Sequence, residues 1–315
     1  MNLEWVPVAC DWCGTPGGDL AFEGPDRLMG LPGQFRLVRC PQCGLLRQNP
    51  RLAWESLKAY YGEGYDSYAP LNRELPHAWL RLDKRYGFWK HLRAVERHQR
   101  GGRLLDVGCG TGLFLEEAMR SGRWQAEGVE PTEAAGRYAQ RALQVPIHLG
   151  RFGEADLPTA SFDAITLWNV LEHVEFPVAD LRRAHQLLKP DGVLVFSIPH
   201  YESVGRRVFG PYWVGWDLPR HLYVFPLPVL GAMLSQLGFR LVETRCLSTS
   251  YDLLGHSLDF WSQTWPTRRA GLRRLLLRLY HTLVARALLV PPLWALDRLR
   301  QADTLTVFAH ALPVG

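Results

Sequence analysis

The regular alternation of short apolar runs with helical patterns between residues 77 and 250 most constrains how this chain can fold. The apolar runs have the length of buried strands, and the segments between them repeat their apolar residues at helical spacing. Strands that alternate with helices predict an α/β fold with a doubly wound, mostly parallel sheet that binds ligands at the carboxyl ends of its strands. Seven strands are predicted, at 103–107, 125–130, 145–149, 162–168, 193–198, 239–247 and 304–311, and helices at 77–99, 113–120, from Pro131 onward and at 180–188.

The turn after the first of these strands, in the run LLDVGCGTG at 104–112, carries three glycines. A dinucleotide-binding turn reads G-x-G-x-x-G, but here Gly112 follows Gly108 and Gly110 one residue too early. A phosphate-binding loop would need a Gly-Lys pair, and this turn has none. Because the charge of Asp106 would repel a diphosphate, the turn predicts a ligand that carries positive charge.

S-adenosylmethionine is such a ligand, since it joins an ammonium and a sulfonium group to an adenosine. Glu130, at the end of the next predicted strand, is placed to accept hydrogen bonds from both ribose hydroxyls. An acid at this place is also expected in a dinucleotide-binding fold. The spacing of the glycines and the position of Asp106 therefore discriminate, whereas Glu130 does not.

Two C-x-x-C pairs stand near the start of the chain, and each is followed by a glycine. Four thiolates on two such turns give a closed tetrahedral site, which is typical of a structural zinc ion. Four unrelated thiols or a redox-active pair are the alternatives. Because a core of fewer than about 50 residues needs an additional staple, we favour zinc, with the ligands Cys10, Cys13, Cys40 and Cys43.

Several motifs together resemble class I S-adenosylmethionine-dependent methyltransferases. The glycine turn resembles their first motif, and the acid at the end of the second strand resembles their second. The C-x-x-C ribbon and a later segment, WDLPRHLYVF, are similar to a subfamily of the type 11/23 kind that begins with a zinc ribbon. The resemblance covers nearly the whole chain except 251–301 and is carried by 104–112, 129–131, 161–174, 187–199, 216–225 and 237–243.

The resemblance implies a Rossmann-like methyltransferase fold and assigns roles around the cofactor. It implies that residues of the glycine turn shape the methionine end, that Glu130 holds the ribose, and that the end of the fourth strand borders the transferred methyl group. An acid that usually follows the third strand is replaced by Arg151, so Phe152, Glu154 and Ala155 are candidates for the adenine contact. The implied cofactor-binding residues are Asp106, Gly108, Cys109, Gly110, Gly112, Glu130, Phe152, Trp168 and Asn169.

Two histidines are candidates for the base that a hydroxyl acceptor needs. His173 follows the fourth strand, although the Glu172-His173 pair could merely start the next helix. His221 lies in the segment after the fifth strand, which lines the acceptor pocket in such folds. The neighbouring Arg220 could bind an anionic group of the acceptor or form a structural salt bridge.

The segment before the last strand is predicted to be a basic amphipathic helical insert over 251–301. Leucines recur at helical spacing, and arginines surround them. Such a helix is typical of a membrane interface or a partner surface. The alternative is a helical cap that packs on the catalytic domain. The insert is too interrupted by charges and prolines to cross a bilayer, so any membrane contact through 268–300 would be peripheral.

The composition is that of an ordinary globular protein, with 47% hydrophobic and 21% charged residues and a net charge of +5. The first ten residues lack the pattern of a signal peptide, which predicts a cytoplasmic protein, peripheral at the inner membrane face if the insert binds lipid. Four regions are predicted: a zinc ribbon at 1–50, a linker or lid at 51–76, a methyltransferase domain at 77–250 plus 302–315, and the insert at 251–301.

These observations predict a methyltransferase that acts, preferentially at oxygen, on a small-molecule, sugar or lipid-like acceptor. One alternative is an RNA methyltransferase whose zinc ribbon grips nucleic acid. The ribbon is poor in lysine, and the fourth strand ends in NVLEH, so the sequence does not favour nucleic acid. The other alternative is a catalytically silent protein that binds the cofactor and docks partners.

Overall fold

The computed structural model describes residues 3–61, 78–247 and 251–313, and the backbone alone for 78–84. Most of the predicted linker, 62–76, lies outside the described residues. The strands are β1 (Trp5–Val6), β2 (Asp19–Gly24), β3 (Phe35–Arg39), β4 (Leu46–Gln48), β5 (Arg51–Leu52), β6 (Gly102–Val107), β7 (Trp124–Glu130), β8 (Ile147–Leu149), β9 (Phe162–Trp168), β10 (Leu188–Pro199), β11 (Tyr223–Val224), β12 (Phe239–Arg245) and β13 (Thr304–Ala311). The α-helices are α1 (Trp54–Leu57), α2 (Ala78–Val95), α3 (Leu113–Arg120), α4 (Glu133–Leu143), α5 (Pro177–Leu187), α6 (Val204–Phe209), α7 (Leu227–Gln236), α8 (Tyr251–Ser262), α9 (Ala270–Tyr280) and α10 (Leu283–Arg298).

The central element is a seven-stranded sheet with the strand order β12-β13-β10-β9-β6-β7-β8. Strand β6 pairs in parallel with β7 on one side and with β9 on the other. Strand β9 also pairs in parallel with β10, and β7 pairs in parallel with β8. Most residues of β9 and β10 are buried, as expected for strands that helices cover on both faces. The predicted doubly wound, mostly parallel seven-stranded fold is confirmed.

Several predicted boundaries differ from the structure: α2 ends at Val95 rather than at Gln99, the bounds of β6, β7, β8 and β12 shift by one or two residues, and three further starts differ. Helix α4 begins at Glu133 rather than at Pro131, because Thr132 is still extended and its N–H donates to the Glu130 carboxylate. Helix α5 begins earlier than predicted, at Pro177, where the missing N–H of proline costs no helical hydrogen bond. Strand β10 begins at Leu188, but its register with β9 shifts before Val193, so the predicted strand is its regular part.

The N-terminal region forms a separate antiparallel sheet in the order β11-β4-β3-β2, and β1 pairs with β5. Its strands are short, and β2 is mostly exposed to solvent. Strands β4, β5 and β11 are buried, as is most of β3. A region of this size commonly has a bound metal ion as a further source of stability.

By its internal contacts the chain divides into two compact units that interleave along the sequence. The first comprises 1–60, 199–229 and 244–305, and the second 61–198, 230–243 and 306–315. Residues 199–229 therefore group with the N-terminal region rather than with the sheet. The bounds predicted for the four regions differ from the bounds of these two units, and the division into four regions stays a prediction.

A helical insert precedes the last strand, as predicted, and consists of α8, α9 and α10. Its small core is formed by Tyr251, Tyr280 and Leu293. Among the described residues, no single helix has the length and apolar character to cross a membrane. Helices 267–280 and 283–298 meet those limits only when taken together, and they are bent against each other by 73°.

Candidate functional site

The glycines of the turn after β6 adopt the left-handed backbone conformation, with φ of 69° at Gly108, 54° at Gly110 and 80° at Gly112. Other residues pay about 1–2 kcal/mol for this conformation. A Cβ atom at Gly108 would also lie 2.6 Å from Cγ2 of Val170, and one at Gly112 would lie 2.5 Å from Cδ1 of Leu143. The turn therefore needs glycine both for its backbone and for its close packing.

Glu130, at the end of β7, holds this turn in shape. Its Oε2 accepts the Gly110 N–H at 2.8 Å, and its Oε1 accepts the Thr132 N–H at 2.8 Å. Burial raises the pKa of Glu130, while the hydrogen bonds from Thr132 and Gly110 act against that rise. Because each carboxylate oxygen has a second lone pair, Glu130 can still accept a ribose hydroxyl at each oxygen.

Asp106 is only 2% exposed and lies opposite Thr166 in the parallel register of β6 and β9. The Thr166 hydroxyl donates to Oδ1 of Asp106 at 2.7 Å. Burial raises the pKa of Asp106 to about 8, the Thr166 hydrogen bond opposes this, and the nearby charge of Glu130 adds to it. A bound cation would relieve this destabilised charge, so the site fits S-adenosylmethionine.

Cys109 and Phe152 are both buried. Cys109 lies next to β7, where its N–H donates to the Val129 carbonyl, and Phe152 follows β8 in the chain. The Cys109 sulfur fits only because residue 128 is glycine, whose added Cβ would lie 2.6 Å from it. Burial raises the pKa of the Cys109 thiol, so it is a packing group rather than a nucleophile. Phe152 begins a 3₁₀ turn, and the preceding Arg151 forms an ion pair with Glu175 at 2.8 Å.

Trp168 ends β9 within a cluster of rings. It stacks on His91 of α2 with ring centroids 4.3 Å apart and planes 8° apart, and it meets the edge of Phe114 at 5.1 Å. Asn169 follows with a left-handed backbone, φ 54°, and is exposed. The chain turns sharply here, which ends the strand at the sheet edge where the methyl group is predicted.

His173 lies four residues beyond Asn169 and is partly buried. Its Nδ1 lies 3.2 Å from the hydroxyl oxygen of Tyr61. When Nδ1–H donates to that oxygen, the imidazole lone pair is on Nε2. This tautomer has the form that a general base requires.

His221 is buried in the other compact unit. Its Nδ1 lies 2.9 Å from the Gly215 carbonyl oxygen, and burial lowers its pKa. The adjacent Arg220 is fully buried and forms ion pairs with Asp26 at 2.7 Å and Asp217 at 2.6 Å. Of the two roles predicted for Arg220, the structure shows the structural salt bridge.

The four predicted zinc ligands converge, with their sulfur atoms all within 4.8 Å of one another. Between the two turns, the Cys10–Cys43 and Cys13–Cys40 sulfur distances are 3.5 and 3.4 Å. These approach the spacing of about 3.8 Å that follows from four Zn–S bonds of about 2.3 Å in a tetrahedron. The cluster fits a structural zinc ion.

Both cysteine turns are built alike. Gly14 N–H donates to the Cys10 carbonyl at 2.8 Å, and Gly44 N–H donates to that of Cys40 at 2.9 Å. The φ angles of Gly14 and Gly44, 73° and 80°, are left-handed, as the sequence predicted. Burial raises the pKa of the Cys10 and Cys43 thiols, whereas at Cys40 backbone N–H groups outweigh burial and lower the pKa of that thiol to about 6. A low thiol pKa favours the thiolate that binds metal.

Sequence reasoning missed four residues of the sheet edge. Thr166 could have been found, because a parallel register of the first and fourth strands places it beside Asp106. His91, Phe114 and Tyr61 carry no motif and reach the site only through packing.

A family model described as a methyltransferase domain matches residues 79–244. Among curated relatives, a Bradyrhizobium diazoefficiens protein named ubiquinone biosynthesis O-methyltransferase is 32% identical over 182 residues, which cover 53% of this chain and 68% of that protein. Proteins of the same name from Neisseria meningitidis and Actinobacillus pleuropneumoniae are 36% and 30% identical, over 31% and 46% of this chain. This chain spans only 44% and 61% of those two relatives' lengths.

One chain of the complex between the Haloferax volcanii Trm112 methyltransferase activator and a methyltransferase is similar in structure, with a TM-score of 0.50. It shares 16% sequence identity, and the match covers 73% of this chain and 92% of that chain. At this identity the likeness concerns the fold alone. Because the family model covers more than half of the sequence and the sheet and glycine turn agree with it, the chain belongs to the class I S-adenosylmethionine-dependent methyltransferases.

Proposed function

We propose that this chain transfers the methyl group of S-adenosylmethionine to a hydroxyl oxygen of a small or lipid-like acceptor. The observation that carries the proposal is the glycine turn flanked by two buried carboxylates, Asp106 and Glu130. The relatives named O-methyltransferases support oxygen as the methylated atom and a small organic acceptor.

When bound, S-adenosylmethionine supplies a methyl group on a positively charged sulfur, which the acceptor oxygen takes by in-line displacement while the C–S electron pair stays on sulfur. The protein's main task is alignment of the two reactants. In this proposal Asp106 faces the positive charge, Glu130 accepts the ribose hydroxyls, and Phe152 covers the adenine. Trp168 and Asn169 border the reacting carbon at the end of β9.

The hydroxyl proton of the acceptor must leave as the new C–O bond forms. We assign its removal to Nε2 of His173, whose Nδ1 is oriented by Tyr61 at 3.2 Å. His221 is the weaker candidate, because burial disfavours its protonated form. A positioned base contributes typically about 10²–10⁴-fold in rate.

The test supplies isotopically labelled S-adenosylmethionine with separate fractions of phenols, sugars, lipid-soluble alcohols and RNA. We expect label in a hydroxyl fraction, recovered as a methyl ether. His173→Ala should lower kcat about 10²-fold or more with unchanged cofactor affinity, and the exposed His256 provides the control variant His256→Ala. Label in RNA alone, or no transfer to any fraction, would overturn the proposal.

We further propose that the exposed helix pair, α9 with α10, contacts a membrane surface that carries anionic lipids. Seven arginines and one acid, Asp297, lie between 267 and 298. This strong positive balance complements anionic headgroups, whereas a second copy of the chain would bring like charges together. The large apolar side chains that are more than half exposed on this pair are Leu272, Leu275, Leu279, Leu283, Val284, Leu288 and Trp294.

The shape of the pair suits binding in the plane of a membrane rather than a span. The two helices meet at 73°, and neither alone is long enough to cross a bilayer. Interfacial helices bury an apolar face among the headgroups while arginines reach the lipid phosphates. Each arginine near an anionic surface contributes about 1 kcal/mol.

Vesicle flotation tests this contact. We expect the protein to float with vesicles that contain phosphatidylglycerol at low salt and to be released in part at high salt. The double variant Leu283→Asp/Leu288→Asp changes side chains that are 75% and 71% exposed, so it should abolish flotation without unfolding. Val208→Asp, at a side chain 69% exposed on α6, is the matched control. Equal flotation of both variants would refute membrane contact through the exposed helix pair.

A further inference from the structure

Arg47 of β4 is a completely buried cation that the proposed reaction does not use. Its Nη2 donates only to backbone carbonyls, those of Val8 at 3.4 Å, Thr15 at 3.3 Å and Gly17. Within the described residues, Nε and Nη1 have no hydrogen-bond partner, and no ion pair joins Arg47 to a carboxylate. A buried charge is costly unless an opposite charge offsets it. Arg47 therefore requires a source of negative charge.

Arg220, another completely buried arginine of the same compact unit, shows how the chain meets this cost elsewhere. Its guanidinium forms ion pairs with Asp26 at 2.7 Å and Asp217 at 2.6 Å. Two carboxylates thus surround one buried guanidinium. Because Arg47 is buried to the same degree without such an acid, its counter-charge has to come from another kind of group.

The hydrogen bonds of Arg47 lead to the four-cysteine cluster. The Thr15 carbonyl that accepts from Arg47 also accepts the Cys10 N–H, at 2.9 Å. The hydroxyl oxygen of Thr15 lies 3.2 Å from the Cys13 sulfur. One shared carbonyl therefore connects the buried guanidinium to a predicted zinc ligand, and the residue that carries it also contacts a second ligand.

The charge of a metal-loaded cluster is of the kind that Arg47 lacks. Four thiolates bring four negative charges and a divalent ion returns two, so the loaded centre is a dianion. A trivalent ion in the same thiolates would leave a single net negative charge. Because attraction between charges is stronger where water is excluded, a buried guanidinium beside the cluster stabilises the dianion most.

We propose that Arg47 is the counter-ion of the zinc–thiolate centre and that its buried charge favours a divalent over a trivalent metal ion. Arg47 does not bind the metal. It acts through its charge and by fixing the backbone on both sides of the first cysteine turn. Residues that act in this way behind metal ligands typically contribute about 10–100-fold to metal affinity. The inference concerns the metal centre and does not depend on which atom is methylated.

Two variants of the full chain separate the charge of Arg47 from its hydrogen bonds. Arg47→Gln keeps side-chain N–H donors without the charge, and Arg47→Lys keeps the charge without the planar fork. In competition with a chelator, zinc affinity should fall about tenfold or more in Arg47→Gln and stay within about threefold in Arg47→Lys. Equal losses in the two variants, or no loss in Arg47→Gln, would overturn the proposal.

The matched control is Arg39→Gln. Arg39 also donates to a carbonyl of a cysteine turn, that of Gly44 at 3.4 Å, but it is only half-buried. Solvent screens such a charge, so zinc affinity should stay within about threefold. The visible absorption of Co²⁺ in four thiolates reports whether the site keeps its tetrahedral shape. Loss of this spectrum in Arg47→Gln would assign Arg47 a purely structural role and refute the inference.

Iron in the same four thiolates gives a measurement that depends on the charge. Reduction of Fe³⁺ to Fe²⁺ adds one electron and turns the singly charged centre into the dianion. Loss of the Arg47 charge should therefore lower the reduction potential in Arg47→Gln. A tenfold weaker preference for the reduced centre corresponds to about 59 mV. Arg47→Lys should keep the native potential, and an unchanged potential in Arg47→Gln would overturn the proposal.

Discussion

The four-cysteine cluster and the glycine turn after β6 both depend on left-handed glycines, yet they differ in what completes them. At the cluster, four sulfurs converge in an arrangement that fits a metal ion. At the turn, Glu130 already accepts the Gly110 N–H, and Thr166 already donates to Asp106. We therefore expect the first region to depend on its ligand for folding, whereas the second has its hydrogen bonds in place without a ligand.

The cause of this difference lies in how much apolar surface supports each region. Strand β2 of the N-terminal sheet is mostly exposed, whereas β9 and β10 are mostly buried. A well-buried parallel sheet can hold costly charges such as Asp106 at its edge, because packing elsewhere offsets them. The N-terminal sheet is smaller and its strand β2 is exposed, although β4 and β11 are buried, so we expect bound metal to contribute to its folding free energy.

Metal removal should give the largest effect, and it should act on one region alone. Chelation or Cys40→Ser should remove the zinc and abolish amide-exchange protection in β2, β3 and β4, while β6 and β9 stay protected. Structural zinc sites supply about 10 kcal/mol or more. Cys246→Ser, at a lone buried cysteine, is the control and should keep one zinc per chain. Loss of protection in both sheets at the same chelator concentration would contradict the comparison.

The sequence predicted most strands and helices of the sheet and both glycine-containing sites. What it could not predict has physical causes. Helix α3 and strands β9 and β13 match their predicted bounds, because each is a continuous periodic run between strong turn residues. The cysteines and the glycine turn were found because their chemistry depends on fixed local spacing.

Contacts made over long sequence distances could not be predicted. His91 meets Trp168 and Tyr61 meets His173 only because the sheet brings distant segments together. The grouping of 199–229 with the N-terminal region likewise has no local signal. The roles assigned to the individual cofactor-binding and catalytic residues stay predictions.

Adding a methyl group to the turn should give the second largest effect. In Gly108→Ala the new Cβ combines backbone strain of about 1–2 kcal/mol with crowding of about 1–3 kcal/mol, so cofactor affinity should fall about 10²-fold. Gly122→Ala is the matched control, because φ is 68° there, close to the 69° of Gly108, but a Cβ atom would meet nothing within 4 Å. Calorimetry should therefore show full cofactor affinity for Gly122→Ala. Equal losses in the two variants would mean that strain, rather than fit against Val170, shapes the turn.

The smallest expected effect is a pH dependence of the affinity for S-adenosylmethionine, and it should come from the site at the glycine turn alone. The pKa of Asp106 is raised to about 8 by burial, and a cationic donor binds its charged form. Below that pH the site must release a proton when the donor binds, so affinity for S-adenosylmethionine should fall by up to about tenfold per pH unit. Above about pH 8 the affinity should level off. Asp106→Asn keeps the hydrogen bond from Thr166 but cannot ionise, so calorimetry should show weak binding with no slope from this group. If the pH dependence of the affinity persists in Asp106→Asn, another group titrates. The proposal that Asp106 recognises the positive charge of the donor would then be wrong.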